Sequence, residues 1–551
     1  MKLTFTAIIY LLLMVSLAAG AETSGHYWVF FTDKAIPAGQ ESRALQAAEQ
    51  QLTPRNRSRR LKSMAIPVDE SDIPVSQSYL ARVQMSGVKI RTVSKYLNAV
   101  SVDATPLQME RVRSLPFVQS AEPFRSTPID LTMQPRYDRR RSLDDVHYGP
   151  SYLQNHICRI PELQTRGLTG QGVLICYLDS GFRLSHRVFD SLQVVATYDF
   201  IHGDSIVANQ AGQDSAGQDG HGSAVLSAAA GYRDSILVGP AYHAQILCAK
   251  TEWVPTETVI EEDYYVAGLE WADSLGADIT SSSLGYIDWY NFQDMNGHTA
   301  ITTRGVQIAA RHGILVVTAS GNERASAWGH IVAPSDADSI LSVGSVDTTR
   351  FISGFSSPGP TADGRIKPDV CALGEWVVSA DVENSDGYFY LFGTSLATPI
   401  VSGTAALIME AHPEWSAQQV RTAIKQTASA ASNPNNDYGW GIVNGLNAAD
   451  YIFDAVDLPR SPLPRASILL SSYPNPVNST AVLTLQLPAD GKGQLALYDL
   501  LGRQEYQWPQ TQWTAGSQQV FLNTSDLPTG VHFVRFFSSE GHAVSRIAIL
   551  K

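Results

Sequence analysis

Three blocks of this 551-residue chain carry side chains whose types and spacing could do nucleophilic chemistry together. In Gly393-Thr394-Ser395-Leu396-Ala397-Thr398-Pro399, a serine leads into an apolar, small-residue run from Leu396 to Met409. That run reads as a buried helix, with Ile400, Val401, Leu407 and Ile408 apolar and Gly403, Ala405 and Ala406 small enough for close packing. Pro399 is expected near its start, where a missing N–H costs little. Ser395 at a helix N-terminus would have free backbone donors and the positive end of the helix dipole beside it. An oxyanion forming next to a serine nucleophile needs such donors. Taken alone, the same serine reads as a helix cap.

Two further blocks supply what a serine lacks. Val173 to Leu178 reads as a buried strand, and Asp179-Ser180-Gly181 ends it. Asp219-Gly220-His221-Gly222-Ser223 opens a small-residue helical run, Ala224 to Ala230. A hydroxyl is a poor nucleophile until a base takes its proton. The base in turn needs a carboxylate to fix its tautomer and stabilise its charged form. The chain order Asp, His, Ser distinguishes this set from the orders of the α/β-hydrolases and of the chymotrypsin-like proteases.

The three blocks resemble those of the subtilisin-like serine proteases, the subtilases. The resemblance implies Asp179 as orienting acid, His221 as general base and Ser395 as nucleophile. It extends to Ser320-Gly321-Asn322-Glu323, where Asn322 matches the side-chain donor of the family's oxyanion hole. It also extends to Ser281-Ser282-Ser283-Leu284-Gly285, which looks like the edge that pairs with substrate backbone; Ser283, Leu284 and Gly285 are the substrate-binding candidates. Similarity runs roughly from His147 to Ile452. Leu396, Thr398 and Ser223 depart from the usual residues but keep a similar size or hydroxyl. Glu323 could face the pocket for the side chain preceding the cut bond and favour a basic one there, or could be a surface carboxylate.

The elements that must hold these residues alternate between strand and helix. Strands are expected at Val173–Leu178, Gln245–Ala249, Ile279–Ser282, Ile314–Thr318 and Ile340–Val346, and helices at Tyr264–Leu275, Thr299–Arg311, Leu396–Met409 and Ala417–Thr427. This pattern predicts an α/β fold, a subtilisin-like and mostly parallel sheet flanked by helices, with the site at strand C-terminal ends. The polar stretch Gly203 to Gly220 holds Asp204, Asp214 and Asp219. A structural calcium ion there is conceivable, since hard cations take oxygen ligands, but the spacing matches no calcium loop and a solvated loop is the simpler reading. No cofactor is required for the chemistry and no metal ligands are assigned. There is no His-Glu-x-x-His stretch, and no cysteine sits in a nucleophile or metal pattern, which excludes a zinc or cysteine protease. Cys176 and Cys248 fall in apolar strand-like runs, where a free thiol packs as a small hydrophobe. His186, His243, His312 and His330 read as structural.

Around this unit the chain divides into further parts. At 551 residues it is too long for one core, and roughly two to four domains are expected. With 17% charged and 44% hydrophobic residues it is globular, and a net charge of −13 disfavours nucleic acid as a partner. Residues 1–21 read as a signal peptide: Lys2, then an apolar core from Ala7 to Leu17, then small residues Ala19-Gly20-Ala21. Residues 22–146 read as a small α+β unit plus a basic link carrying Arg136, Arg139, Arg140 and Arg141, a processing site or a solvated linker. Its position resembles the subtilase prosegment, which implies a folding aid and inhibitor. The catalytic domain is expected over 147–455, closing with Tyr438-Gly439-Trp440-Gly441, and a Pro-rich linker over 456–465.

From 466 to 551 short alternating strands predict a small β-sandwich. Tyr473-Pro474-Asn475-Pro476, Tyr498-Asp499-Leu500-Leu501-Gly502-Arg503 and Leu527-Pro528-Thr529-Gly530 resemble the C-terminal sorting domain of the type IX secretion system. That resemblance implies engagement of the secretion machinery and a place outside the cell or on the outer surface of a bacterium. The whole reading is a secreted serine endopeptidase acting on protein or peptide substrates through an acyl-enzyme. The alternative, an inactive scaffold or adhesin displayed by its C-terminal domain, need not retain both an intact triad and Asn322.

Overall fold

Leu174–Asp179 is buried at every residue, and so are Leu315–Ala319 and Leu341–Val346. Strands without a polar face belong in a parallel sheet covered on both sides. The computed structural model describes residues 24–123, 147–256, 258–453, 469–487, 490–500, 503–538 and 541–551. The signal segment, the arginine-bearing link and the linker at 456–465 lie outside these residues. Tertiary contacts divide the chain into two units that meet between Ile452 and Phe453.

In the first unit, residues 24–123 supply β1 (Gly25–Phe31), a basic helix α1 (Pro54–Leu61), β2 (Lys89–Ser94), β3 (Ala99–Ala104) and β4 (Val118–Pro123). The strands form an antiparallel sheet in the order β2-β3-β1-β4. The larger part supplies β5 (Leu174–Asp179), β6 (Gln193–Asp199), α2 (Gly220–Ala230), β7 (Gln245–Lys250), α3 (Ile260–Leu275), β8 (Ile279–Ser282), α4 (Ile301–Arg311), β9 (Leu315–Ala319), β10 (Leu341–Val346), β11 (Val370–Leu373) and α5 (Thr394–Ala411). Its seven strands are all parallel, in the order β11-β10-β9-β8-β5-β7-β6.

Alternation along β5 sorts the helices onto the two faces of the sheet. Leu174, Cys176 and Leu178 pack with Tyr265, Leu269 and Ala272 of α3 and with Val306 and Ala309 of α4. Tyr177 lies on the opposite face of the strand, and burial pushes its phenol up. All four cysteines are free and buried. Cys176 and Cys248 lie on adjacent strands as small apolar groups, with burial pushing both thiols up.

The sheet of residues 24–123 is also apolar on both faces. Val29, Phe31, Val100 and Val102 pack with Val83, Met109 and Val112 from that segment's own helices. Trp28, Phe30, Leu97 and Ala99 pack against Val266 of α3 and Ile301 of α4, with Arg304 over the Phe30 ring. Burying a side chain such as Phe30 contributes about 1.5–3 kcal/mol. The segment therefore has a core of its own but belongs, by its contacts, to the same unit as the parallel sheet.

The second unit has two antiparallel sheets. Leu469–Tyr473, Thr480–Leu487 and Gly516–Asn523 form one, and Gly491–Tyr498, Gln504–Gln507, Thr511–Trp513, Gly530–Ser538 and Gly541–Ile549 the other. Ala481, Leu483 and Leu485 alternate inward against Leu495, Leu497, Val534 and Phe536, which makes the core of a sandwich.

The acidic stretch considered for calcium holds cations of its own. Lys250, fully buried at the end of β7, places Nζ 2.8 Å from Asp199 Oδ2 and 2.5 Å from Asp214 Oδ1. The Asp199, His202 and Asp214 donor atoms cluster closely enough for a metal, yet the ammonium stands among them. Asp219 takes a two-pronged contact from Arg183, at 3.0 Å on each oxygen. Asp204 accepts the Ile206 N–H instead. An ammonium already stands between Asp199 and Asp214 and a guanidinium on Asp219, so this donor set does not fit calcium. Lys250→Met should therefore destabilise the protein by about 3–5 kcal/mol, because it leaves two buried carboxylates unpaired. A chemical-denaturation series in the presence of a chelator checks this; an unchanged midpoint would show that the ammonium is dispensable.

Candidate active site

The end of β5 delivers a carboxylate that water does not reach. Asp179 has no exposed surface, and its Oδ1 accepts the Ser180 N–H and contacts His221 Nδ1, both at 2.7 Å. His221 is the second residue of α2. An ionised carboxylate only accepts, so Nδ1 must carry the proton, and Nε2 is left as the basic nitrogen. Burial alone would lower the imidazole's affinity for a proton, but the Asp179 charge and hydrogen bond outweigh it and hold the pKa above the ordinary value.

The approach of α2 to β5 depends on the residue after His221. A Cβ on Gly222 would stand 2.2 Å from the Gly181 carbonyl oxygen and 3.0 Å from Asp179 Cβ. Only glycine permits this contact without displacing the helix start.

Ser395 is the second residue of α5, which packs against α2, and it is 9% exposed. Its N–H is one of the first-turn donors with no intrahelical acceptor. Gly393, just before the helix, has φ of +147°, a backbone state that side chains disfavour. A Cβ built there would stand 3.7 Å from Asn322 Nδ2, so the amide lies beside this turn. Asn322 is oriented by Thr394, whose N–H and hydroxyl both donate to Oδ1 at 2.9 Å. A backbone N–H can only donate, so the carbonyl end of Asn322 is spent on Thr394 and the donor end is left for another acceptor. Sequence reasoning overlooked Thr394; the available signal was its place directly before the serine.

The edge segment also meets Ser395. Ser283 Oγ donates to the Ser395 carbonyl at 2.8 Å, and the Ser395 hydroxyl donates to the Ser283 carbonyl at 3.3 Å. Pro399 accounts for the first bond. It lies well inside α5, as its sixth residue, rather than in the first turn where the sequence placed it. Having no N–H, it cannot donate to the carbonyl four residues back, which is that of Ser395. Ser281 and Ser282 are paired on both sides, with β5 and β9. A strand cannot be added along them, and Ser283, Leu284 and Gly285 follow the end of β8. Glu323 is half-buried, with its N–H donating to Ser357 Oγ. Burial, together with the Glu323 charge, raises the Asp288 carboxyl above its usual range. Of the four histidines read as structural, His186 receives the Val188 N–H and contacts the Gly387 carbonyl, and His312 lies in a buried ion network.

Comparison with known proteins follows the same division of the chain. Residues 170–441 match the family model described as subtilase family. Subtilisin BL of Lederbergia lenta is 32% identical over 300 residues, which is 54% of this chain and 97% of the relative. M-protease of Shouchella clausii is also 32% identical over 300 residues, or 54% of this chain and 68% of the relative. Subtilisin E of Bacillus subtilis is 29% identical over 371 residues, covering 67% and 84%.

The chain belongs to the subtilase family. Residues 26–140 match a peptidase S8 propeptide domain of the Bacteroidota, and residues 471–550 a secretion system C-terminal sorting domain. This subtilase is a subtilisin-type serine endopeptidase, secreted or held at the outer surface of a Bacteroidota cell.

Two outcomes follow from this geometry. In a proton NMR titration, the His221 imidazole should titrate above the ordinary histidine value, and Asp179→Asn should move it down, because the stabilising charge is gone while burial remains. An unmoved titration would detach His221 from Asp179. Gly222→Ala should lower kcat/KM by about a hundredfold, through a displacement of His221 of the order of 1 Å. Kinetics at wild-type level would show that the close approach has no bearing on turnover.

Proposed function

We propose that peptide bonds are cut through Asp179, His221 and Ser395 by way of an acyl-enzyme. His221 Nε2 takes the Ser395 proton as Oγ attacks the peptide carbonyl carbon. The oxyanion is received by Asn322 Nδ2 and the Ser395 N–H. His221 then hands its proton to the leaving amine, and water opens the ester by the reverse roles. The observation that carries this reading is the 2.7 Å contact of His221 Nδ1 with a fully buried carboxylate, which leaves Nε2 as base. The Thr394 contacts to Asn322 support the oxyanion assignment, because they hold the amide's carbonyl at the helix start and leave its N–H donors for another acceptor.

Substrate is proposed to bind extended, pairing its backbone with Ser283, Leu284 and Gly285. The domains are proposed to run 22–146 as prosegment and link, 147–455 as peptidase and 466–551 as sorting domain. In this scheme the prosegment occupies the enzyme until the link is cut, and the sorting domain engages the secretion machinery.

The test is covalent labelling of the prosegment-free protein with a fluorophosphonate. Wild type should be labelled and should cleave casein, while Ser395→Ala and His221→Ala should do neither. A folded, prosegment-free wild type that takes no label would overturn the assignment. Asn322→Ala should lower kcat by about 10²–10³-fold with an unchanged circular dichroism spectrum; unchanged turnover would remove Asn322 from the mechanism.

A further inference from the structure

A parallel sheet with crossover helices has two unlike edges. The catalytic candidates lie at the C-terminal edge, at the ends of β5 and β8. The helix α1, Pro-Arg-Asn-Arg-Ser-Arg-Arg-Leu, lies at the other. Arg55 donates to the Gly172 carbonyl at 2.8 Å, to Gln245 at 3.2 Å and to Asp278. These residues stand just before or at the starts of β5, β7 and β8. Arg55 and Asn56 also donate to the Gly276 and Ser274 carbonyls, at 3.1 and 3.3 Å, where α3 ends.

Deeper in, Arg59 and Arg60 share one carboxylate. Arg60 Nη2 is 2.6 Å from Asp273 Oδ2, and Arg59 Nη2 meets Asp273 Oδ1. Arg59 Nη1 donates to the Ala277 carbonyl at 2.6 Å, and its Nε to the His312 carbonyl at 3.3 Å. Tyr96 OH donates to Asp273 Oδ2 at 2.7 Å. His312 closes the group: Nδ1 lies 3.0 Å from Asp273 Oδ2, and Nε2 contacts Ser71 Oγ at 2.9 Å. The two arginines, Asp273 and His312 are all buried. A helix with four arginines and one leucine has no apolar stripe to hold it, so charge and hydrogen bonding hold it here.

We infer that the C-terminal end of α3, with Asp273 and His312, is a diarginine-recognition site, and that its occupant, Arg59–Arg60 of α1, fastens the prosegment to the peptidase at the sheet edge opposite the catalytic one. The inference rests on reading residues 22–146 as a prosegment that leaves. Once the link is cut, retention of the prosegment depends on this site as well as on the apolar contact of Trp28 and Phe30. Loss of one side of a buried, hydrogen-bonded charge pair acts chiefly on the rate of dissociation.

The test uses the full chain, cut within residues 124–146 by its own activity or by a brief trypsin treatment at Arg136–Arg141. Dissociation of the prosegment is followed by size-exclusion chromatography over time. Arg59→Gln/Arg60→Gln should release it about a hundredfold faster than wild type. After release, the variant should show wild-type kcat on a peptide substrate. Equal release rates would overturn the inference. Should the double variant not fold, hydrogen exchange on wild type decides: amides of residues 274–278 and 312–313 should lose protection when the prosegment leaves, and retained protection would overturn it. Fluorophosphonate labelling of the released enzyme, run in parallel, reports separately on the catalytic assignment.

Discussion

A carboxylate without solvent, at the end of a central buried strand, is the constraint on which this molecule turns. Asp179 has no exposed surface, and a charge so placed persists only when hydrogen-bonded. The Ser180 N–H and the His221 ring supply those bonds. For the ring to reach, α2 must begin against the strand end, which requires glycine at 222. α2 packs against α5 and is built mostly of Gly, Ser and Ala, which lets it sit there. The small-residue helices, the buried strands and the polar end of β5 are thus one arrangement seen at three levels.

Much of this was legible because the residues concerned obey simple patterns. β8 falls at Ile279–Ser282, as expected, and the remaining sheet expectations shift by about a residue. The strands not anticipated have reasons. β6 is an edge strand with exposed Val194 and Val195 and a bulge, so its hydrophobic pattern does not read as a buried strand. β11 has only four residues. α1 has no apolar periodicity, so no pattern of hydrophobic residues could disclose it; its partners in the larger part are carbonyls, a side-chain amide and carboxylates more than a hundred residues away.

At the site itself, types and order pointed to Asp179, His221 and Ser395, because the chemistry admits few residue types, and the family resemblance pointed to Asn322. Geometry among backbone groups was not legible. Nothing in the sequence says that Thr394 spends both donors on Asn322, or that Pro399 frees the Ser395 carbonyl for Ser283. Nor does a run of acids reveal that its counter-ion is a lysine at a strand end. Asp214 and Lys250 are 36 positions apart and meet only through the sheet.

The two edges of the sheet are put to opposite electrostatic use, and the fold's own polarity is the cause. Each crossover helix runs back along the strands, so helix N-termini collect at the strands' C-terminal edge and helix C-termini at the other. The first edge carries partial positive charge and unsatisfied N–H groups, which suits the oxyanion proposed beside Ser395. The second carries partial negative charge and unsatisfied carbonyls. There α3 ends in the Ser274, Gly276 and Ala277 carbonyls and α4 in that of His312, and arginines and an asparagine from α1 take all four. A basic helix is the complement that such an edge selects. An acidic one would meet repulsion from Asp273 and from the helix ends alike. The chemistry at one edge and the anchoring at the other therefore draw on the same alignment of peptide dipoles, which makes the position of α1 a consequence of the parallel fold rather than an accident of packing.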